Sequence, residues 1–220
     1  MEAEALNGEA TDSRKMEVQI GGAVTLECEG GCWGHGTAMD PSGPGPLALD
    51  RVIYQDAGEY RCVTPDKNLQ NTWRAQLPYY IKVTGRPMVY PTAQFVSANE
   101  GESLDIAVEF CAEPSYNKLL WMSSESVYIP GGEERDGVQA LELESGGIET
   151  CFRTTLRIDA VQWSHSGEWM FIVRSQAGVA DASVSVNVTR AFGFSRGSTL
   201  ARSIMTIFYC LIVVFYSQQR

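Results

Sequence analysis

The sequence is poor in histidine and in basic residues. Only His35 and His165 occur, and 17 Lys+Arg are set against 27 Asp+Glu, which gives a net charge of −10. A chain this acidic does not bind nucleic-acid phosphate through general positive charge. Two His are too few for a His-based metal site or acid–base relay. We therefore expect no nucleic-acid partner, no metal and no cofactor.

Catalytic motifs are also missing from the sequence. It contains no G-x-S-x-G, no H-E-x-x-H, and no Walker or Rossmann glycine pattern. Ser164, His165 and Ser166 place a hydroxyl beside an imidazole, but three such residues together are typical of a turn. We predict that the protein is not an enzyme.

Long apolar runs are absent except for one near the C-terminus. That run, Ile204 to Tyr216, has 13 uncharged residues, whereas a spanning helix needs about 20. We treat 203–217 as a candidate transmembrane or anchor segment, with an irregular tail as the alternative. Residues 1–15 are acidic and lack the apolar run of an export signal. We expect a disordered segment here and a true start further upstream, with a chain that is not exported as the alternative.

The six cysteines are spaced unlike those of zinc or redox motifs. None forms C-x-x-C, and Cys28 and Cys32 have no second Cys or His pair after them to complete a metal site. Disulfide bonds are the better interpretation, and they indicate an oxidising, extracellular or luminal compartment.

An internal repeat organises the chain. At an offset of 109 residues the segment Leu47–Cys62 matches Leu156–Phe171, and both copies read L-x-[LI]-x-x-V-x-x-x-[DH]-x-G-E-[YW]-x-[CF]. Further upstream, Gly21–Cys28 matches Gly101–Val108 at an offset of 80. Apolar residues alternate in each match, as they do in half-buried strands. The sequence therefore predicts an all-β fold in two copies.

The segment from Asp56 to Cys62, Asp-Ala-Gly-Glu-Tyr-Arg-Cys, resembles the E–F corner and F strand of an immunoglobulin domain. The resemblance implies two tandem immunoglobulin-like β-sandwiches, at 16–84 and 87–189, joined by a short and stiff linker. It also implies a disulfide between Cys28 and Cys62, and a tyrosine corner at Tyr60. Trp169 occupies the position of Tyr60 in the second copy.

The first copy departs from the family pattern in length. The two offsets differ by 29 residues, so this copy is shorter between strands B and E, and we expect strands C, C′ and D to be largely missing. Trp33 follows Cys28 after five residues, too early for the usual core Trp. We predict that Cys32 is unpaired, with a rearranged Cys32–Cys62 bridge as the alternative.

The second copy has lost the usual bridge. Val108 and Phe171 stand at the two cysteine positions, and Trp121 has the spacing of the buried strand-C Trp, so we predict an apolar cluster of these three side chains in the core. Cys111 and Cys151 would lie on neighbouring strands, which favours a bridge within one sheet. Two free buried thiols are the alternative.

The resemblance implies extracellular protein–protein recognition, with cell–cell adhesion as the leading expectation. The partner would be a cell-surface or secreted protein, or a second copy of this chain. A signalling-receptor ectodomain, a non-functional decoy product and a secreted protein are the alternatives. Trp73, Tyr79 and Tyr80 are weak candidates for contact residues. Asn187 begins a glycosylation sequon, Asn-Val-Thr.

Overall fold

The computed structural model describes residues 14–35, 38–39, 45–65 and 73–190. Its regular structure consists of strands and two single-turn 3₁₀ helices, Tyr54–Asp56 and Trp163–His165. The first eight strands are β1 (Arg14–Gln19), β2 (Val24–Leu26), β3 (Cys32–His35), β4 (Ala38–Met39), β5 (Leu47–Leu49), β6 (Gly58–Pro65), β7 (Trp73–Ala75) and β8 (Tyr79–Pro91). The other nine are β9 (Phe95–Asn99), β10 (Leu104–Glu113), β11 (Tyr116–Met122), β12 (Val127–Tyr128), β13 (Val138–Ala140), β14 (Glu144–Ser145), β15 (Cys151–Ile158), β16 (Gly167–Ser175) and β17 (Gly178–Thr189).

The strands form two β-sandwiches. In the first sandwich, β2 pairs with β5 in one sheet, and β1, β8, β6, β3 and β4 follow one another in the other. In the second, β13, β15, β10 and β8 form one sheet, and β12, β11, β16, β17 and β9 form the other. Side chains alternate along these strands between buried and exposed positions, because successive residues of a strand point to opposite faces.

The repeat seen in the sequence is also a repeat in strand register. Leu26 pairs with Leu47 in the first sandwich, and Ile106 pairs with Leu156 in the second. These partners are related by the two offsets of 80 and 109 residues. All-β tandem architecture is therefore confirmed, and the two copies build the same pairing of their second and fifth core strands.

The expectation that the first copy would lack strands C and C′ is wrong. Strand β3 pairs with β6, and β4 pairs with β3. Trp33 on β3 lies opposite Cys62, just as Trp121 lies opposite Phe171 in the second sandwich. The chain reaches β3 after a shortened connection, because Gly30 adopts a positive φ of 66° that allows a tight turn.

Two predicted boundaries also differ from the structure. Strand β1 begins at Arg14, so Arg14 and Lys15 do not belong to a disordered segment, because their backbones pair with β8 from Tyr79 onward. The predicted linker at 84–87 is part of β8, which runs without interruption from the first sandwich into the second. Both sandwiches lie in one compact unit that ends at Thr189.

Candidate protein-recognition surface

Each sandwich has a corner in which an aromatic side chain holds the 3₁₀ turn that precedes its sixth core strand. The Tyr60 hydroxyl donates to the backbone carbonyl of Asp56 at 2.9 Å, and the Trp169 indole donates to the carbonyl of His165 at 2.9 Å. Burial, together with the charge of Asp56, raises the pKa of Tyr60 to about 12. Both aromatics are structural residues.

His165 closes its own turn. Its Nδ1 accepts a hydrogen bond from the backbone N–H of Gln162 at 3.0 Å, and in the first sandwich Asp56 Oδ2 accepts one from Ile53 at 2.8 Å. Burial lowers the pKa of His165, which suits an imidazole that must accept. The hydroxyl of Ser166 accepts from the N–H of Val188 at 3.1 Å. The Ser-His-Ser segment is therefore occupied in holding a turn.

The disulfides join the pairs that the sequence analysis names. Cys28 and Cys62 are bonded across the two sheets of the first sandwich with a Cα–Cα distance of 5.7 Å. Cys111 and Cys151 are bonded within one sheet at a Cα–Cα distance of 4.0 Å, where β10 and β15 place them directly opposite each other. Cys32 is half-buried and its thiol is free.

The second sandwich closes its core with apolar side chains. Val108, Trp121 and Phe171 are all fully buried, and the rings of Trp121 and Phe171 lie 5.2 Å apart. The indole of Trp121 donates to the hydroxyl of Thr154 at 3.1 Å. Thr154 was not singled out from the sequence, although a buried Trp N–H needs an acceptor and Thr154 sits opposite Val108 on β15.

The Cys111–Cys151 bridge packs against the first sandwich. Both sulfur-bearing side chains are buried in the same apolar cluster as Val24, Leu26 and Tyr54. Val108 and Phe110 point into the core of the second sandwich, so Cys111, the next residue on the strand, points out of it. The bridge thus lies at the junction of the two sandwiches.

The Tyr54 side chain joins the sandwiches at the same junction. Its hydroxyl lies 3.0 Å from the carbonyl of Gly85, 3.2 Å from that of Arg86 and 3.3 Å from that of Glu113. It also accepts the N–H of Glu113 at 3.2 Å. Burial is the main cause of the raised pKa of Tyr54. A fully buried phenol therefore satisfies backbone groups of the strands that enter and leave the junction.

A cavity of about 500 Å³ opens beside this junction. Residues of β6 and β8 wall one side and residues of β10 and β15 wall the other. Lys82 and Glu113 form an ion pair at 2.7 Å in its lining. The lining also includes the polar side chains of Tyr80, Ser115, Glu149 and Thr150, and we assign the cavity no ligand.

Of the three aromatics that the sequence nominated for partner contact, Tyr79 and Tyr80 have described side chains. The ring of Tyr79 lies 5.8 Å from that of Trp33 at an interplanar angle of 54°, and the guanidinium of Arg14 lies over it at 4.9 Å. Its role is packing. Tyr80 is 37% exposed and lines the junction cavity. The side chain of Trp73 lies outside the described part of the chain.

The solvent side of the second sandwich offers a better candidate, which the sequence analysis missed. We call it the outer face: the outward side of the sheet made by β12, β11, β16, β17 and β9. Its centre is apolar, because residues that alternate with the core residues Trp121 and Phe171 are themselves apolar. These residues are Leu120 and Met122 on β11, Val127 on β12, and Met170 and Ile172 on β16.

The sheet register brings these side chains together. Leu120 pairs with Ile172, and Met122 pairs with both Met170 and, on the other side, Val127. Val127 is 44% exposed. Beyond β17, Phe95 is 77% exposed and pairs with Ser185. Leu120, Met122, Met170 and Ile172 are half-buried. A patch of neighbouring apolar side chains that reach solvent is typical of a protein-binding surface.

Charged side chains lie at the two ends of the outer face. Lys118 and Arg174 are exposed and directly opposite each other at the end nearest the junction. Glu168 is exposed at the other end of the same strand. Within the described residues, Glu168 and Arg174 take part in none of the salt bridges. Asn187 is exposed on β17, two residues after Ser185, which pairs with Glu168.

The structure adds two observations on metal and membrane. Among the described residues, no group of three or more His, Cys, Asp or Glu side chains is arranged to hold a metal ion. In the same part of the chain, no helix has the length and hydropathy to cross a membrane. The candidate segment 203–217 lies outside the described residues, as does Cys210.

Comparison with known proteins identifies the fold. No protein-family model matches the sequence, and no curated protein does. The titin Ig tandem domains A164-A165 align with a TM-score of 0.53 and 15% identity, over 83% of this chain and 96% of that chain. The complex of Dpr2 Ig1-Ig2 with DIP-Theta Ig1-Ig3 gives a TM-score of 0.52 and 18% identity, over 82% of this chain and 63% of that chain.

The extracellular domains 3-5 of Drosophila OTK are similar to the same degree. They align with a TM-score of 0.52 and 17% identity, over 80% of this chain and 63% of that chain. The chain thus spans less than two-thirds of the length of the Dpr2–DIP-Theta and OTK chains. At these identities the likeness shows the fold: two immunoglobulin-fold sandwiches in tandem.

Proposed function

We propose that this tandem of two immunoglobulin-fold domains recognises another protein outside the cell and acts in cell–cell adhesion. The observation that carries the proposal is the outer face of the second sandwich, which has an apolar centre bounded by charged residues. Protein-binding surfaces have this organisation of apolar core and polar rim. Two disulfides support an oxidising, extracellular location.

The partner is a cell-surface or secreted protein, and a second immunoglobulin-fold protein is our first choice. The Dpr2–DIP-Theta structure is a complex between immunoglobulin domains of two proteins, which supports that choice. The titin tandem is as similar in fold, so the fold by itself does not select a partner. The proposal therefore depends on the outer face.

Two further parts of the proposal concern surface attachment and modification. Segment 203–217 would attach the chain to the plasma membrane. Asn187 would carry an N-linked glycan, because its side chain is exposed on β17 and a glycan needs a solvent-accessible Asn. Digestion with an N-glycosidase should increase the mobility of the secreted chain in gel electrophoresis, and the Asn187→Gln variant should show no shift.

Bead binding tests the proposal. Beads coated with the full chain, produced in an oxidising secretory pathway, should cluster with each other or bind to cells. Ile172→Lys should abolish this, because a charge would be placed in the apolar centre of the outer face. The matched control is Ala107→Lys, which changes a half-buried outward residue on the opposite sheet and should leave binding intact.

The outcomes separate adhesion from the alternatives. Clustering or cell binding that requires Ile172 supports recognition through the outer face. Binding to a soluble ligand without binding to cells would favour a signalling-receptor ectodomain. If the wild-type chain neither clusters nor binds cells or secreted proteins, the adhesion proposal is wrong and the decoy alternative stands.

A further inference from the structure

The outward residues of β16 form an ordered series along the middle of the outer face. Reading along the strand they are Glu168, Met170, Ile172 and Arg174. The two ends are exposed and oppositely charged, and the two central residues are apolar and half-buried. A series of this kind is complementary to itself when one copy is turned end for end.

On β11 the outward residues follow a similar order, whereas β17 carries two polar residues beside the apolar pair of β16. On β11, Lys118 precedes Leu120 and Met122, and Glu125 lies just beyond the end of the strand, exposed. On β17, Asp181 lies beside Ile172 and Ser183 beside Met170. Each of the three strands therefore has a first half that complements its own second half.

We propose that the outer face binds a second copy of this chain, in an antiparallel pair about a twofold axis that crosses the strands between Met170 and Ile172. The inference rests on the proposed recognition function and specifies its partner. In the pair, Arg174 of one copy faces Glu168 of the other, and Ile172 faces Met170. An isologous contact of this kind closes on itself and does not propagate into a filament.

The neighbouring strands support the same arrangement. Lys118 comes to the end that carries Glu125 in the other copy, and Leu120 packs against Met122. The carboxylate of Asp181 faces the hydroxyl of Ser183, which can donate a hydrogen bond to it. Like charges do not meet at any of these positions, and like-charge contacts are a strong source of discrimination at interfaces.

The size of the face fits a weak pair. Five strands at about 4.8 Å spacing and seven residues at about 3.3 Å rise cover roughly 24 Å by 23 Å. The pair would bury on the order of 1,100 Å² in total, near the lower limit of specific interfaces. We expect self-association with a micromolar Kd. Many such pairs between two opposed cell surfaces would together give a higher avidity.

The direction of the pair fits a contact between opposed surfaces. β17 ends at Thr189, beyond the end of the face that carries Glu168. Reversing one copy therefore places the two C-terminal ends of the sandwiches at opposite ends of the pair. Chains attached through residues beyond 190 would meet from two separate surfaces.

Charge reversal tests the pairing. Sedimentation velocity of the full, secreted chain should show a monomer–dimer equilibrium. Arg174→Glu alone should weaken the dimer at least tenfold, because two Glu residues then face each other twice in each pair. Glu168→Arg alone should weaken the dimer equally, because two Arg residues then face each other at both contacts. Glu109→Arg, on the opposite sheet of the same sandwich, is the control and should not change the dimer.

Mixing the two single variants is the decisive step. Arg174→Glu and Glu168→Arg restore opposite charges at both contacts only when one copy of each is present, so the mixture should dimerise within about threefold of wild type. The double variant should also recover. A monomeric wild-type chain at 200 μM (roughly a hundred times the expected Kd), or a mixture no tighter than either variant alone, overturns the inference.

The bead assay distinguishes this failure from failure of the proposed function. Beads that bind cells through Ile172 while the free chain stays monomeric would leave recognition standing and replace the second copy with a different partner. Beads that bind nothing would remove both.

Discussion

The indole Nε1 of Trp169 donates a hydrogen bond of 2.9 Å to the backbone carbonyl of His165. The hydroxyl of Tyr60 donates a bond of the same length to the carbonyl of Asp56. Each residue of one pair is 109 positions from its counterpart in the other. The duplicated corner therefore keeps a donor at the tip of a buried aromatic, and the chemical identity of the aromatic is free to change.

Removing the corner donor should destabilise the first sandwich. Tyr60→Phe leaves the carbonyl of Asp56 without this partner, and we expect a loss of about 1–2 kcal/mol in the free energy of unfolding. Urea unfolding followed by tryptophan fluorescence measures it. Tyr80→Phe, at a residue that is 37% exposed, is the matched control and should change stability by less than about 0.5 kcal/mol. Equal effects of the two variants would contradict a structural role for the hydroxyl.

His165 should make the stability of the second sandwich depend on pH. Burial lowers its pKa below the usual value of 6.5, so the unfolded chain takes up the proton at a higher pH than the folded chain does. Stability should therefore be complete above about pH 7 and decrease as the pH falls below about 6.5 toward the folded pKa. Protonated Nδ1 also cannot accept the N–H of Gln162.

Thermal unfolding between pH 7.5 and 5.5 tests the role of His165. His165→Asn keeps an acceptor at this position and removes the titration, so the midpoint of the variant should vary less with pH than that of wild type. Identical slopes for the two proteins would show that His165 does not supply the pH dependence.

Tyr54→Phe should loosen the junction between the two sandwiches. The N–H of Glu113 loses its acceptor, and the carbonyls of Gly85, Arg86 and Glu113 lose the one hydroxyl proton that they share. We expect a destabilisation of about 1–3 kcal/mol and faster hydrogen exchange at Glu113, measured by mass spectrometry. Tyr90→Phe, at a half-buried phenol that packs against the same cluster, is the control. If exchange at Glu113 is unchanged in Tyr54→Phe, this hydroxyl does not hold the junction.

The Cys111–Cys151 bridge should stabilise the folded protein, although it joins two strands of one sheet and does not cross between sheets. Cys111→Ala with Cys151→Ala removes a cross-link over a sequence separation of 40, and we expect a loss of roughly 3–4 kcal/mol. Cys32→Ala, which removes a free thiol, should have little effect. Non-reducing peptide mapping checks the pairing, and a Cys32–Cys62 peptide would contradict the structure.

Local pattern was sufficient for much of the fold. The alternation of apolar residues and the two repeat offsets predicted the strands around Gly58 and Gly167 and the apolar cluster at Val108. These features depend on residues close in sequence or on a repeated spacing. The local pattern predicts these features because every strand of a sandwich has one apolar face that is buried in the core.

Trp33 shows where spacing misleads. Its distance from Cys28 is eight residues shorter than the distance from Val108 to Trp121, so the sequence analysis rejected it as the core Trp. The structure buries it opposite Cys62, because a turn at Gly30 shortens the connection without displacing the strand. A change in loop length costs little free energy, whereas moving a side chain out of its core position costs much more.

The amino-acid sequence alone determined that this protein has two β-sandwiches and that Val108, Trp121 and Phe171 fill the core of the second one. Tertiary structure alone decided that the Cys111–Cys151 bridge packs against the other sandwich, that Tyr54 ties the two together, and that Glu168, Met170, Ile172 and Arg174 line one solvent face beside Leu120 and Met122. The reason is physical: alternation within a strand is written locally, but which strands lie side by side depends on contacts between residues far apart in the chain.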